Sequence, residues 1–400
     1  MRKIEGTARP DWRATAEAAG FSFHEMHGEP YWDEESAYSF TLEEVETRIE
    51  DPSTALHAMV REAVGRVAES EALMAQLGIP EGHMDAVAGS WREGEMELYG
   101  RFDLSYGGEG PAKLLEYNAD TPTALFETAS FQWDWLVAAR EAGLVPAGAD
   151  QLNGLFEALA DRFRWLLAPG EDIHFTAHEG SAEDYATVET MAYAAREAGM
   201  GAHYVDLAKL AFDADGRLLD DEARVIGTLF KLYPWEDLLR DDEAAAILAS
   251  ETRFLEPAWK AIASNKGLLP VLWEMFEGHP NLLASFFAAD LERDDAAFER
   301  ARAAGAFGRG RVTKPIFSRE GASVDILGPA GEVIVRAENR PYDAHPRIVQ
   351  DYAPLPDFGG FRPVLGTWIV GETCVALGMR EDRSEITGDL SRFKPHYIEP

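Results

Sequence analysis

The sequence predicts a mixed α/β protein, and three observations on residue patterning support this fold class. Apolar residues recur at helical spacing through residues 1–95, and helix and strand patterns alternate through residues 151–250. After residue 304, short strand patterns are separated by turn residues. The 400 residues suffice for two or three packed units. From the patterns of helices and strands we expect an α+β or α/β architecture that includes a small βαβ layer.

Residues 1–95 are expected to form an N-terminal helical region. Helical spacing covers Asp11–Ala19, Thr41–Leu77 and Glu81–Glu95, with Pro52 and Pro80 predicted as helix breaks. Six aromatic residues between the first two helices are expected to pack in the core: Phe21, Phe23, Tyr31, Trp32, Tyr38 and Phe40.

Residues 96–150 begin with a predicted β-hairpin and continue into a helix. A cluster of turn formers at 107–111 separates two stretches with strand-like residues. If the loop is centred near residues 109 and 110, Asp103 lies opposite Glu116 and Arg101 lies opposite Asn118. Because side chains alternate along a strand, all four would then share one face.

This predicted face carries two carboxylates and an amide oxygen, which are ligands that Mg²⁺ prefers. Like charges that lie directly opposite each other destabilise a hairpin, so a positive group is expected between Asp103 and Glu116. A metal ion would supply it, but the Arg101 guanidinium could balance the charge equally well without a metal. The spacing alone favours the second alternative, a solvated, salt-bridged hairpin face without a metal.

Residues 151–250 alternate helix and strand, which predicts a largely parallel βαβ layer. The two helices are expected at Leu152–Leu167 and Glu183–Ala198. The three strands are expected at Ile173–Ala177, His203–Leu207 and Val225–Leu232.

Residues 251–400 are expected to combine helices with an antiparallel sheet. Predicted strands cover 311–317, 323–327, 332–336, 347–352, 360–370 and 373–380. Lys314 lies in the first of them, just before a short loop with Arg319 and Gly321. Backbone N–H groups and cations in such a loop can bind phosphate oxygens, although a glycine loop between strands is usually only a turn. Lys266 is a second candidate cation.

Composition excludes several classes of partner. A net charge of −34 argues against nucleic acid and anionic membranes, and would steer a cationic substrate inward. Cys374 is the sole cysteine, so neither an intrachain disulfide nor a cysteine metal cluster is expected. No signal peptide or membrane-spanning run is predicted, and we expect a cytoplasmic protein.

Five stretches, in order, resemble motifs of the glutathionylspermidine synthase family of ATP-grasp ligases. Arg101-x-Asp103 with Glu116-x-Asn118 resembles its metal motif, and 264–270 the segment with its first nucleotide-binding lysine. The stretch 314–321 is similar to the second lysine and phosphate loop. Residues 349–352 and 368–380 resemble the adenine hinge and the terminal hairpin. The metal motif precedes the lysines, which is the permuted order of this family.

The resemblance implies an ATP-grasp-like fold, with residues 251–400 as the nucleotide-binding region and 151–250 as the substrate layer. It implies a carboxylate–amine ligase that uses ATP and Mg²⁺ and forms an amide through an acyl phosphate. The implied metal ligands are Asp103, Glu116 and Asn118, and the implied catalytic arginines are Arg101 and Arg380. The implied nucleotide-binding residues are Lys266, Lys314, Ser318, Arg319, Gly321, Gln350, Asp351 and Tyr352.

For substrate binding, Thr121 and Thr123 stand where bifunctional members of the family have serines, and Glu183 or Asp382 is a candidate to hold an ammonium group. The sole Cys374 lies in a predicted strand, so the cysteine amidase domain of the bifunctional members is not expected. Residues 232–235 match the glutathione-pocket segment of those members only loosely. The acid, the amine (with polyamines among the candidates) and the oligomeric state therefore stay open.

Two other functions are compatible with the sequence. One is a nucleotide-binding sensor or scaffold without ligase activity, and the other is an acidic protein that binds polyamines without a nucleotide. Binding of Mg·ATP should raise thermal stability in the first case and not in the second.

Overall fold

A computed structural model describes residues 1–26, 28–388 and 391–400. The N-terminal part contains strands as well as the expected helices. The helices are α1 (Trp12–Ala18), α2 (Leu42–Val45), α3 (Asp51–Ala68), α4 (Glu71–Gln76) and α5 (Met84–Arg92), and the strands are β1 (Arg2–Glu5), β2 (Glu25–Met26), β3 (Glu29–Pro30) and β4 (Ser36–Phe40). The prediction that Pro52 breaks a helix is wrong. A π-helical turn at Glu46–Glu50 leads directly into α3, and Pro52 lies in the first turn of α3. Backbone N–H groups in the first turn make no hydrogen bond within the helix, so a proline there costs α3 none of its own bonds.

The predicted hairpin forms, and its two strands are β5 (Tyr99–Ser105) and β6 (Lys113–Asn118). A π-helical turn at Glu127–Phe131 then continues into α6 (Gln132–Glu141). All six aromatic residues expected in the core are buried, and they pack in part against Phe131 of this turn and Trp135 of α6.

The predicted parallel layer also forms. Its elements are α7 (Leu155–Leu166), β7 (Asp172–Thr176), α8 (Ala182–Glu197), β8 (Gly201–Tyr204), β9 (Ala211–Phe212), β10 (Leu218–Leu219), β11 (Thr228–Lys231), α9 (Trp235–Leu238), α10 (Ala244–Ala249) and β12 (Arg253–Leu255). Four strands pair in the order β12-β11-β7-β8, and every pair is parallel. The fourth strand, β12, lies beyond residue 250.

The remaining chain supplies four helices and nine strands of the described structure. They are α11 (Lys260–Ala263), α12 (Leu268–Met275), β13 (Ser285–Phe287), α13 (Ala288–Leu291), α14 (Ala296–Ala303), β14 (Arg311–Pro315), β15 (Asp325–Leu327), β16 (Val333–Arg336), β17 (Arg347–Asp351), β18 (Arg362–Val370), β19 (Thr373–Asp382), β20 (Arg392–Lys394) and β21 (His396–Ile398). Eight of these strands, together with β5 and β6, build two sheets of five strands. The sheets are ordered β13-β17-β14-β15-β16 and β20-β19-β18-β5-β6.

The second of these sheets joins distant parts of the chain, because β5 pairs antiparallel with β18. The hairpin of residues 99–118 and the hairpin of residues 362–382 therefore share one surface. The two ends of the chain also meet in one sheet, because β4 pairs with both β1 and β21. Within the described residues, no helix combines the length and apolar character needed to cross a bilayer.

Candidate functional site

The hairpin has the predicted register. Arg101 lies opposite Asn118 and Asp103 lies opposite Glu116, and a bulge follows at Leu104. These four side chains line one cleft, whereas the alternate residues Phe102 and Leu104 are buried in the core on the other face of the sheet. The turn residues and the alternation of side chains thus predicted this geometry correctly.

Asp103 is held by two arginines. Arg101 donates from Nε to Oδ1 at 2.8 Å and from Nη2 to Oδ2 at 3.3 Å, and Arg380 donates from Nη2 to Oδ2 at 2.6 Å. Burial works against the charge of Arg101, but Asp103 raises the pKa of the guanidinium above its ordinary value. Arg101 also donates to the Thr123 carbonyl at 2.7 Å. The charge balance that needs no metal is therefore present in the structure.

The approach of Arg101 to Asp103 depends on a glycine in the neighbouring strand. Gly366 of β18 lies opposite Asp103 and directly beneath the Arg101 side chain. A Cβ atom at this position would come within 2.9 Å of Arg101 Cδ, which is closer than carbon atoms pack. Any larger residue at 366 would thus displace the arginine.

Two lysines reach the cleft from separate elements. Lys266, between α11 and α12, contacts Glu116 Oε2 at 3.1 Å and donates to the Ser318 carbonyl at 2.7 Å. Lys314 of β14 donates to Gln350 Oε1 at 2.8 Å and to the Leu115 carbonyl at 3.0 Å. Burial raises the pKa of Glu116, but the charges of Lys266 and Lys314 outweigh this effect and lower it to about 2. Glu116 is therefore an anion at neutral pH.

The pKa of Lys314 is also lowered, which for an amine disfavours the charged form. Burial, together with the nearby charge of Lys266, lowers the pKa of the Lys314 amine to about 8, despite the attraction of Glu116. Glu116 is the anion that both lysines share, and a ligand with more negative charge could take its place. The lysine pair is therefore suited to a ligand that carries negative charge.

The cleft that contains these groups has a volume of about 440 Å³, within the usual range for small-molecule sites. It brings together every residue of the predicted metal, catalytic and nucleotide-binding sets, along with Thr121, Thr123 and Glu183. These side chains come from the hairpin, from α8, from the segment before α12 and from both five-stranded sheets. Asp382 does not line the cleft; it accepts hydrogen bonds from Ser384 N and Ser391 Oγ instead.

One end of the cleft is apolar. Val312, Val324, Ile326 and Tyr352 form a small buried cluster there, next to the end of β17. Of the predicted hinge residues, Gln350 contacts Lys314, whereas Asp351 accepts from Phe307 N at 2.8 Å. An apolar slot beside a strand edge suits a planar heteroaromatic ring.

The opposite end of the cleft is acidic. Glu183 and Asp184 lie in the first turn of α8, and burial raises the pKa of both carboxyl groups. Behind them Glu127 is buried and accepts from the Tyr31 hydroxyl at 2.5 Å. Burial and the charge of Glu183 raise the pKa of Glu127 to about 7. The cleft thus combines cationic, apolar and acidic groups.

Sequence reasoning missed a buried ion pair beside the cleft. Asp120 accepts from Lys231 Nζ at 2.8 Å and from Trp235 N at 2.6 Å, and both charged side chains are buried. Since burial disfavours both charged forms, the pKa of Asp120 is raised and that of Lys231 is lowered. Asp120 follows the Glu-x-Asn motif by two residues, but nothing local indicates Lys231 as its partner.

Two polar atoms at the site are buried without a hydrogen-bond partner in the described structure, namely Asn118 Nδ2 and Ser318 Oγ. Such atoms are rare in folded proteins and call for an explanation, such as a ligand or water. The described residues contain no group of three or more His, Cys, Asp or Glu side chains that could hold a metal ion. The predicted metal set has two carboxylates and an amide, which fit Mg²⁺ in donor type, but the carboxylates are paired with cations here.

The fold and the cleft define a mixed α/β protein with a cation-lined site suited to a polyanionic ligand. The profile of the family described as "Glutathionylspermidine synthase preATP-grasp" matches residues 3–399, and the chain belongs to this family. The expected family membership is therefore confirmed.

Several relatives are similar along most of the chain. A Haemophilus influenzae protein, named only provisionally as an acid–amine ligase, is 34% identical with full coverage of both chains. Trypanothione synthetase of Crithidia fasciculata is 27% identical over 85% of this chain and 53% of its own. The bifunctional glutathionylspermidine synthetase/amidase of Escherichia coli is 26% identical over 90% of this chain and 58% of its own. The chain thus spans little more than half of the last two proteins.

The names of these relatives, all ligases or synthetases, support an ATP-dependent, amide-forming enzyme. Among solved structures, a glutathione synthetase-like effector (GSS30) from Globodera pallida, in its apo form, superposes with a TM-score of 0.59. It is 13% identical and the match covers 98% of this chain and 99% of the effector. At this identity the likeness describes the fold alone.

Proposed function

We propose that the chain joins a carboxylic acid to an amine in a reaction driven by ATP, and that its fold is an ATP-grasp-like fold with the permuted motif order. The observation that carries the proposal is the convergence of Lys266, Lys314 and Arg380 on one cleft beside the Glu-x-Asn strand. Three cations from three separate elements match the charge of a triphosphate better than that of any single carboxylate.

The nucleotide would lie with its base in the apolar end of the cleft and its phosphates towards the lysines. Val312, Ile326 and Tyr352 offer apolar contacts for a purine, and Asp351 lies at the neighbouring strand end. A polyphosphate would replace Glu116 as the partner of Lys266 and Asp103 as the partner of Arg380. The carboxylates so released, with the Asn118 amide, would hold Mg²⁺, which neutralises phosphate charge when bound.

The reaction proposed is a transfer in two steps. A carboxylate oxygen of the acid attacks the terminal phosphorus of ATP, which forms an acyl phosphate and releases ADP. The amine nitrogen then attacks the carbonyl carbon, so that inorganic phosphate leaves and the nitrogen loses a proton. Arg101 and Arg380 are placed to stabilise the charge that develops. The loop at Ser318, Arg319 and Gly321 would keep water from the acyl phosphate.

The two substrates would bind towards the acidic end. Thr121 and Thr123 can offer hydroxyl groups to the acid, which we propose to be an amino acid or a peptide-like carboxylate. Glu183 and Asp184 favour a cationic amine, and a polyamine would satisfy both carboxylates together. Among the relatives, the names glutathionylspermidine synthetase and trypanothione synthetase are consistent with such a pair of substrates.

The direct test measures ADP release by the purified protein over a panel of acids paired with a panel of amines. We expect ADP only when a productive acid is present, and an amide of the summed mass by mass spectrometry when the amine is added. Stabilisation by Mg·ATP without product from any pair would instead identify a nucleotide-binding sensor or scaffold. Absence of any stabilisation by Mg·ATP would refute a nucleotide site altogether.

A further inference from the structure

Arg319, in the loop after β14, pairs with helix α9. Its Nη2 atom contacts Glu236 Oε1 at 3.2 Å and Asp237 Oδ2 at 3.5 Å. Arg319 and Glu236 both line the cleft. Although burial works against its charge, Glu236 raises the pKa of the Arg319 guanidinium above its ordinary value. Both ion pairs use the same nitrogen, so the guanidinium keeps other donors for a ligand.

Glu236 is itself held firmly. It follows Trp235, whose backbone N–H donates to the buried carboxylate of Asp120 at 2.6 Å. Asp120 pairs with Lys231, and Lys231 Nζ also lies 4.5 Å from the centre of the Trp235 ring. The start of α9 is thus bonded both to the end of β6, which carries the Glu-x-Asn motif, and to the end of β11.

The loop has a second attachment to the same segment. Arg240, two residues after α9, lies with its guanidinium carbon 4.7 Å from the centre of the Phe317 ring and donates to the Glu236 carbonyl. On its other side, Gly321 has a φ of +69°, and a Cβ there would come within 2.2 Å of Ile386 Cγ2. Residues on both sides of Arg319 are therefore fixed, and Glu236 fixes the side chain between them.

We propose that Glu236 is a positioning residue that holds Arg319 over the cleft before the nucleotide binds. This inference rests on the proposed function, because it assumes that the ligand of Arg319 is a phosphate group. A long, half-exposed arginine loses side-chain entropy when it binds a ligand, and Glu236 removes part of that loss in advance. Glu236 would therefore strengthen phosphate binding although both groups are anionic.

The experiment measures ATP affinity by isothermal titration calorimetry for the wild type, Glu236→Gln, Arg319→Gln and the double variant. We expect Glu236→Gln to weaken ATP binding about 3- to 10-fold in the presence of Arg319 and not to weaken it further in its absence. Glu243→Gln is the matched control, because it removes the same charge at an exposed site just before α10. This control should bind ATP as the wild type does.

A second measurement follows the loop without nucleotide. Limited trypsin digestion should cleave after Arg319 several-fold faster in Glu236→Gln than in the wild type or in Glu243→Gln. If Glu236→Gln binds ATP as tightly as or more tightly than the wild type, the inference is overturned. It is also overturned if the two substitutions simply add. A wild type with no affinity for ATP would refute the proposed function itself, which makes the two failures distinguishable.

Discussion

The hairpin of β5 and β6 carries a polar cluster on each side, and the two clusters differ in how completely they are paired. On the buried side, Glu97 accepts from His57, Arg61 and Lys260, and Glu256 accepts from Leu98 N and Tyr99 N. On the cleft side, Asn118 Nδ2 and Ser318 Oγ have no partner in the described part of the chain, and burial together with the charge of Lys266 lowers the pKa of Lys314.

This difference separates a structural role from a functional one. Lys260 lies between Glu97 and Glu256, which raise its pKa above the ordinary value although burial opposes the charge. That cluster connects the segment before β5 to α11 and has no need of a ligand. The cleft cluster keeps two buried polar atoms without partners in the described residues and a Lys314 amine whose charged form is disfavoured, which is the arrangement expected of a site completed by a substrate.

The largest effect on stability should come from Lys260→Met, which removes the central cation of the buried cluster. Among the described residues, Glu97 would keep only His57 and Arg61 as partners, and Glu256 would keep only backbone N–H donors. Breaking a buried ion pair typically costs about 3–5 kcal/mol in the free energy of unfolding. Urea denaturation followed by circular dichroism measures this change. Arg61→Met, which removes a more exposed partner of Glu97, is the control and should cost far less. Equal stability of the two variants would contradict a structural role for this cluster.

For activity, the largest loss should come from Lys314→Met on the cleft side. We expect kcat/KM for ATP to fall by about 10²- to 10³-fold, since a cation would be lost where phosphate charge moves. The free energy of unfolding should change by only about 1 kcal/mol, because burial already disfavours the charged form of Lys314. Lys113→Met, in the hairpin strand next to the cleft, serves as the control. A variant that keeps wild-type kcat/KM would remove Lys314 from the site.

Glu127 predicts a pH dependence of stability. Burial raises the pKa of this carboxyl from 4.5 to about 7, so the folded state binds the proton more tightly than the unfolded state. The stabilisation from Glu127 is present below the unfolded pKa and is lost as the pH rises through about 7. In Glu127→Gln this loss is absent. The free energy of unfolding of the variant, relative to that of the wild type, should therefore rise by about 3 kcal/mol as the pH is raised from about 5 to about 8. Unfolding curves at both pH values test this, and a difference that does not change with pH would contradict it.

The smallest effect on stability is expected for Asn118→Ala. Because its buried Nδ2 atom makes no hydrogen bond in the described structure, its removal should lower the free energy of unfolding by less than about 1 kcal/mol. In contrast, the Mg²⁺ concentration for half-maximal activity should rise several-fold. Gln350→Ala, which removes bonds to Lys314 and the Leu114 carbonyl, should be the more destabilising of the two. The reverse order would argue that Asn118 has a structural role.

Local patterns in the sequence determine the parts of the structure that were predicted well. The glycine-rich turn and the alternation of side chains suffice for the pairing of Asp103 with Glu116, because both depend only on nearby residues. The parallel strands β7 and β11 follow equally from short apolar runs between helices. The predicted site residues converge on one cleft, but only the family resemblance could connect a hairpin near residue 110 with lysines beyond residue 260.

Contacts between distant residues account for what the sequence could not predict. The pair of Asp120 with Lys231 joins residues far apart in the chain, and each of the two looks ordinary in its own segment. The same holds for Glu236 and Arg319, and for the pairing of β4 with β21 at opposite ends of the chain. The prediction for Pro52 is wrong because proline is tolerated in the first turn of a helix and breaks it only further in. The sequence alone does not show that Pro52 lies in the first turn of α3.

The missing side chain at Gly366 has a consequence for engineering the cleft. Gly366 leaves room for the Arg101 side chain to pack against β18, and from this position its Nε atom reaches Asp103 Oδ1 at 2.8 Å. A redesign of substrate preference should therefore keep Gly366 and vary other residues that line the cleft. Even one methyl group at position 366 would displace Arg101 and change its charge pair with Asp103.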